Sequence, residues 1–153
     1  MRRKKSMVVG AKISKPRKKR VATRKTLGYF LRALSGIAAW RAKCKALFNG
    51  RCAVSNAFRS NSKLIQTHHV KPFAQIRDEV LEELGLELHL LKSDYSAQEL
   101  EEISKLFVEK HNNIEGIPML REVHRKFHSL YGLKATKADY LEFKKRWDNG
   151  EFK

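Results

Sequence analysis

Apolar residues recur at steps of three or four along several stretches of the chain, a spacing that predicts amphipathic helices. The first stretch runs over residues 26–48 and is followed by Gly50, a residue suited to a helix stop. The same spacing predicts helices around residues 76–84, 97–110 and 138–147. The pattern therefore predicts a chain that is mostly helical.

A further helix is predicted over residues 116–132, where helix punctuation adds to the apolar spacing. Pro118 suits the first helical position, and Gly132 suits the position after the last turn. On a wheel of roughly 100° per residue, His124 and His128 lie together at the edge of the apolar arc of this helix.

Two short stretches, residues 51–55 and 63–70, have the composition of strands and are joined by the turn-rich segment 56–62. They predict a β-hairpin that ends near His68 and His69. Hairpin and helices together predict an α+β fold, a mostly helical single domain, which a chain of 153 residues with 42% hydrophobic content is long enough to form.

The charge of the chain is strongly positive and unevenly spread. A net charge of +17 and a pI near 10.1 indicate a polyanionic partner, with nucleic acid as the first candidate. Residues 1–25 contain 12 Lys or Arg and no acidic residue, which predicts a basic, disordered arm. The arm is either a solubility tail or localisation signal, or a clamp on a nucleic-acid backbone.

Other features narrow the setting of the protein. No run of about 18 apolar residues is present, so we expect no membrane partner. Cys44 and Cys52 form no CxxC pair, which fits a reducing, cytoplasmic compartment. Residues 78–102 hold nine acidic residues, and we expect the segment 76–112 to be an acidic helical insertion that faces away from the nucleic acid.

Four histidines fall in two groups that can meet in the fold. His124 and His128 are four apart on a predicted helix, so both can reach one metal ion. His68 and His69 are neighbours in a predicted strand and therefore point to opposite faces. One of the pair can complete a three-histidine site with the helix, and the other can take a proton from water. Such a site suits phosphodiester hydrolysis.

At these residues the chain resembles the HNH endonucleases of the ββα-metal (His-Me finger) group, especially the phage and intron-associated homing type. The resemblance spans residues 40–132 and rests on four motifs in the same order, which are WRAKCKALFNGRCAVSN (40–56), THHV (67–70), GIPML (116–120) and HRKFHSLYG (124–132). It implies a mostly helical domain around a ββα-metal finger, in residues 26–132, followed by a C-terminal helix in residues 133–153.

The resemblance also implies the roles of the histidines. His68 would be a metal ligand, His69 the general base, His124 a ligand, and His128 a ligand or a phosphate contact as in colicin-type nucleases. Imidazole ligands suit Zn²⁺, Ni²⁺ or Mn²⁺ better than Mg²⁺, and one divalent ion is enough. Arg121 and Arg125 would contact flanking phosphates or form a solvated surface.

One position departs from the pattern of the resembled group. Its middle Asn, which helps to hold the base histidine, should fall at Glu115. Asn113 can do the work after a small shift, or Glu115 can replace the Asn, or activity is weakened. The remaining histidines, His89 and His111, are interpreted as structural.

The sequence therefore predicts a metal-dependent DNA endonuclease that acts as a monomer or weak homodimer. A non-catalytic basic nucleic-acid-binding protein that keeps the finger as a structural module is the main alternative, slightly favoured by Glu115. A purely structural zinc site made by the four histidines is the second. No motif of this chain indicates the target sequence or whether one DNA strand or both are cut.

Overall fold

A computed structural model describes residues 22–153 of the chain. This part of the chain is an α+β fold with six α-helices and one two-stranded antiparallel sheet. None of its helices combines the length and the apolar character needed to cross a membrane. The predicted disorder of the basic arm lies outside the described residues, except for its last part, where Thr23–Lys25 form a 3-10 turn.

The helices follow the apolar spacing of the sequence, and most lie where it predicts them. In chain order they are α1 (Leu27–Arg32), α2 (Ser35–Ala46), α3 (Phe73–Glu83), α4 (Ala97–His111), α5 (Arg121–Tyr131) and α6 (Lys137–Asp148). The single helix predicted over residues 26–48 is two helices, because the backbone of Leu34 is extended between them.

The sheet is formed by β1 (Ile65–His69) and β2 (Gly116–Leu120), and two predictions were wrong here. Residues 51–55 are not a strand of a hairpin: Asn56 N donates to the carbonyl of Cys52 and closes a turn. Residues 116–120 are not the first turn of a helix, because they pair with β1 and the helix begins only at Arg121. Pro118, which has no N–H to donate, is accommodated in this short strand.

Two hydrophobic clusters pack on either side of the sheet region. One joins β1 and β2 to α5 and α6 and includes Phe127 and Phe143. The other joins the four helices α1, α2, α3 and α4 and includes Ile76 and Phe107. Strand β1 ends with His68 against Phe127 of the first cluster and His69 against Phe73, which packs on the second. The His-His pair therefore lies where the two clusters meet.

Candidate metal centre and adjoining cleft

Successive side chains of β1 point to opposite faces of the sheet. Gln66 and His68 share one face, and both contact His124 on α5. His69 lies on the other face, where its ring stacks on Trp40 of α2 with the centroids 4.6 Å apart. The predicted division of the His-His pair between opposite faces is confirmed by these contacts.

Three histidines converge on one point. Nδ1 of His68 lies 3.3 Å from Nε2 of His124, and Nε2 of His128 lies 2.8 Å from the same atom. One ligand atom from each of the three lies within 4.8 Å of the others. Two nitrogens bound to one tetrahedral zinc at about 2.0–2.1 Å are separated by about 3.3 Å, so the cluster has the dimensions of a metal site.

The outer ring nitrogens of the helical pair are already occupied. Nδ1 of His124 lies 2.9 Å from Oε1 of Gln66, and Nδ1 of His128 lies 2.7 Å from the carbonyl oxygen of Gly132. Because these oxygens only accept, each Nδ1 carries the hydrogen and each Nε2 presents a lone pair when the ring is neutral. Two lone pairs that face each other repel unless a cation lies between them, and a metal ion would satisfy both.

Burial keeps His68 and His124 in the neutral form that metals bind. Burial, followed by the neighbouring His128, lowers the pKa of His68 to about 4, while the Ala135 backbone opposes the shift. Burial, followed by His128 and His68, lowers the pKa of His124 to about 4. Free imidazole lone pairs are therefore present at neutral pH without deprotonation.

The other face of the strand forms an enclosed environment around His69. Phe73 contacts the ring edge to face, and Nε2 of His69 lies 3.2 Å from Nε2 of His111. Burial lowers the pKa of His69 to about 3, and the charges of His111, Arg41 and Arg32 add to the effect. His69 is thus neutral at pH 7 and can accept a proton, although its basicity in this closed arrangement is low.

A cleft of about 1020 Å³ connects the two faces, since its lining includes His68, His69, His124 and His128. Arg32 and Arg41 also line it, and neither forms an ion pair with any residue of the described segment 22–153. Acidic residues of α3 form part of the wall: Asp78, Glu79 and Glu82. Two of these are neutralised by neighbours, Asp78 by Arg77 and Glu79 by Lys71.

The remaining predicted site residues lie elsewhere. Arg121 and Arg125 do not line this cleft, and Arg125 is exposed. Asn113 is exposed, and the carboxylate of Glu115 pairs with Lys137. Within residues 22–153, neither Asn113 nor Glu115 makes a side-chain hydrogen bond to His69.

Two residues that shape this centre, Arg32 and Arg41, were not identified from the sequence, and a third, His111, was interpreted only as structural. Arg32 and Arg41 carry no signal of their own, since basic residues are common along the first helical stretch. His111 does carry one, because it follows Ile103 and Phe107 at steps of four on the buried face of α4. A histidine on an apolar stripe needs polar partners, and those of His111 are the carbonyl of Phe107 and the ring of His69.

Comparisons with protein-family models, with curated proteins and with solved structures found no match to this chain.

Proposed function

We propose that this protein is a metal-dependent endonuclease that hydrolyses DNA phosphodiester bonds. The observation that carries the proposal is the placement of His68 and His69. One lies with His124 and His128 in a cluster of metal-site dimensions, and the other lines the same cleft from the opposite face of β1.

The order of elements supports the resemblance to a ββα-metal finger. Strand β1 pairs antiparallel with β2, and α5 follows β2 directly. Strand β1 contributes His68, and α5 contributes the two histidines one turn apart. The arrangement has a strand, a second strand and a helix, with ligands from the first and the last.

The donor set favours particular ions. Three neutral imidazole nitrogens suit Zn²⁺, Ni²⁺ or Mn²⁺, whereas Mg²⁺ prefers oxygen ligands. A site with three protein ligands also leaves coordination positions open, which distinguishes catalytic centres from closed structural ones. The chemistry that a bound divalent ion supplies in such a site is Lewis-acid stabilisation of negative charge on phosphate oxygens.

The chain's own groups then divide the remaining work. His69 takes a proton from the attacking water and later releases it to solvent. Arg32 and Arg41 bind phosphates beside the scissile bond, because they are cleft-lining cations without carboxylate partners in the described part of the chain. The 12 basic residues within positions 1–25 add sequence-independent contacts to the DNA backbone.

A plasmid-nicking assay tests the proposal. Supercoiled DNA is incubated with the protein and Mg²⁺, Mn²⁺, Ni²⁺ or Zn²⁺, and we expect nicked circles that disappear when EDTA is added. His69→Ala should lose nicking but keep metal and DNA binding. His89→Ala is the matched control, since His89 is exposed and does not line the cleft. Equal nicking by His69→Ala and the parent protein would remove His69 from the reaction.

A non-catalytic nucleic-acid-binding protein is the second candidate. The enclosure of His69 by Trp40, Phe73 and His111, with its pKa lowered by burial to about 3, favours this alternative. It predicts that the protein shifts the mobility of DNA with every metal tested and leaves no nick. If the cluster is instead a purely structural zinc site, chelation should abolish the helical circular dichroism signal.

A further inference from the structure

His111 and His69 form a hydrogen-bonded pair on the face of β1 opposite the metal cluster. Their Nε2 atoms lie 3.2 Å apart, and Nδ1 of His111 lies 2.7 Å from the carbonyl oxygen of Phe107 one turn earlier in α4. His111 is 0% exposed. A buried polar group is costly unless it is hydrogen-bonded, and both ring nitrogens of His111 have such a partner.

The hydrogen-bond partners determine which ring nitrogen of His111 and of His69 carries a hydrogen. The Phe107 carbonyl can only accept, so Nδ1 of His111 carries a hydrogen. In a neutral imidazole the other nitrogen is then an acceptor, so Nε2 of His69 must donate to Nε2 of His111. The lone pair of a neutral His69 is therefore on Nδ1.

We propose that His111 is a positioning residue for His69, which it holds in the Nε2–H tautomer so that Nδ1 is the nitrogen that accepts the proton. The inference rests on the proposed function of His69 as a general base. When Nδ1 takes a proton from water, the positive charge on the His69 ring is stabilised by the Nε2–H bond to His111 and, through it, by the Phe107 carbonyl. No proton needs to leave Nε2.

His111 thus holds the base histidine, the task that the sequence assigned to Asn113 or to Glu115. Both side chains are exposed, and Glu115 pairs with Lys137. The acceptor comes instead from the last turn of α4. Trp40 packs against both histidines of the pair: its ring stacks on His69 and contacts His111 edge to face, with the centroids 5.0 Å apart.

If His111 served only to fill space in the core, substitutions at this position would have different effects from those expected of a positioning residue. A phenylalanine would fill the volume of His111 and keep the edge contact with Trp40, but it offers no acceptor to His69. A glutamine offers an amide oxygen close to the position of the imidazole Nε2. The variants His111→Phe and His111→Gln therefore separate a hydrogen-bonding role from a packing role.

The experiment has a spectroscopic part and a kinetic part. Two-bond ¹H–¹⁵N correlation spectra of the full chain report the histidine tautomers, with His69 assigned by its loss in His69→Ala. We expect the Nε2–H tautomer of His69 in the wild type and in His111→Gln, and a tautomer mixture in His111→Phe. In nicking assays, kcat of His111→Phe should fall about 10²-fold, the lower end of what a general base contributes, with KM unchanged and activity largely retained by His111→Gln.

The outcomes separate the two proposals. An Nδ1–H tautomer of His69 in the wild type overturns the positioning role without any variant, and so does a His111→Phe protein with parental tautomer and kcat. A wild type with the expected tautomer that never nicks DNA overturns the nuclease proposal alone. Equal thermal unfolding of the two His111 variants is the control for folding.

Discussion

Gln66 accepts a hydrogen bond from Nδ1 of His124, with 2.9 Å between Oε1 and the ring nitrogen. The two residues are far apart in sequence, and the contact exists because Gln66 shares a face of β1 with His68. An outer-shell acceptor of this kind fixes the tautomer of a ligand histidine and raises its basicity. Gln66 therefore adjoins the candidate metal centre and orients one of its histidines.

The first prediction concerns this contact. Gln66→Leu should weaken Zn²⁺ affinity about 10–100-fold in a chelator-competition assay, because His124 loses the acceptor that orients its ring. Gln75→Leu is the matched control, since Gln75 lines the same cleft and bonds to Glu79 rather than to a ligand. His124→Ala gives the value for a lost ligand. Unchanged affinity in Gln66→Leu would exclude Gln66 from the centre.

The second prediction concerns which arginines contact phosphates. Each phosphate contact contributes about 0.9 to the slope of log affinity against log salt for duplex DNA. The double variant Arg32→Gln/Arg41→Gln should lower that slope by about 2 in binding assays with EDTA present. The pair Arg121→Gln/Arg125→Gln removes the same charge from residues outside the cleft and should change the slope less. The reverse order would assign the phosphate contacts to α5.

The third prediction is a loss of stability of the metal-free protein in mild acid. The folded pKa is lowered to about 4 in His68 and His124 and to about 3 in His69, with burial as the largest cause in each. Unfolded histidines titrate near 6.5, so the unfolded chain binds more protons than the folded chain between the two values. Stability is therefore greatest above about pH 6.5 and falls as the pH decreases toward 4.

Urea unfolding in EDTA at pH 7 and pH 5 measures this effect. We expect the free energy of unfolding to fall by at least about 2 kcal/mol, summed over the three histidines. The carboxylates of Glu79, which pairs with Lys71, and Asp139, which accepts hydrogen bonds from Thr136, do not account for it, because their pKa values are lowered from ordinary carboxylate values. A urea midpoint that is the same at both pH values would contradict the neutral state of His68, His69 and His124 in the folded protein.

The fourth prediction concerns Gly116, which pairs with His69 across the sheet. A Cβ at this position would lie 2.6 Å from Cγ2 of Thr67, 2.7 Å from Sγ of Cys44 and 2.8 Å from the ring of Trp40. Gly116→Ala should lower the free energy of unfolding by about 1–3 kcal/mol, the range for overpacking, and displace Trp40 from His69.

Gly28→Ala is the control for that variant. Gly28 lies in α1, where the nearest atom to an added Cβ is the flexible end of Arg32 at 3.3 Å. Alanine there should be neutral or raise stability by up to about 1 kcal/mol through helix propensity. Chemical denaturation and the tryptophan fluorescence of both variants provide the comparison. Parental stability of Gly116→Ala would show that α2 does not pack closely on β2.

The sequence by itself determined the features that depend on neighbours along the chain. Apolar spacing predicted α3, α4 and α6 nearly to their observed ends, and Gly132, with φ 80°, ends α5 as predicted. The spacing of His124 and His128 placed them on one side of a helix, and adjacency in a strand placed His68 and His69 on opposite faces. Helical and strand periodicity are local, so they can be found in the sequence.

Only the tertiary structure decided which strands pair. The stretch GIPML, residues 116–120, has the apolar content of a helix start, and nothing local shows that it will bond to residues 65–69 across α3 and α4. The cysteine-containing stretch 51–55 forms a turn closed by the bond from Asn56 N to the carbonyl of Cys52, and it meets β2 through the bond from Ala53 N to the carbonyl of Pro118.

The same holds for the partners of the His-His pair. Once β1 pairs with β2, alternation turns His68 toward α5 and His69 toward Trp40 and His111. Which residues stand on each side depends on how two hydrophobic clusters pack around a short sheet, and such packing joins residues distant in sequence. The sequence determined that the histidines would divide their contacts between two faces, and the packing decided what each of them touches.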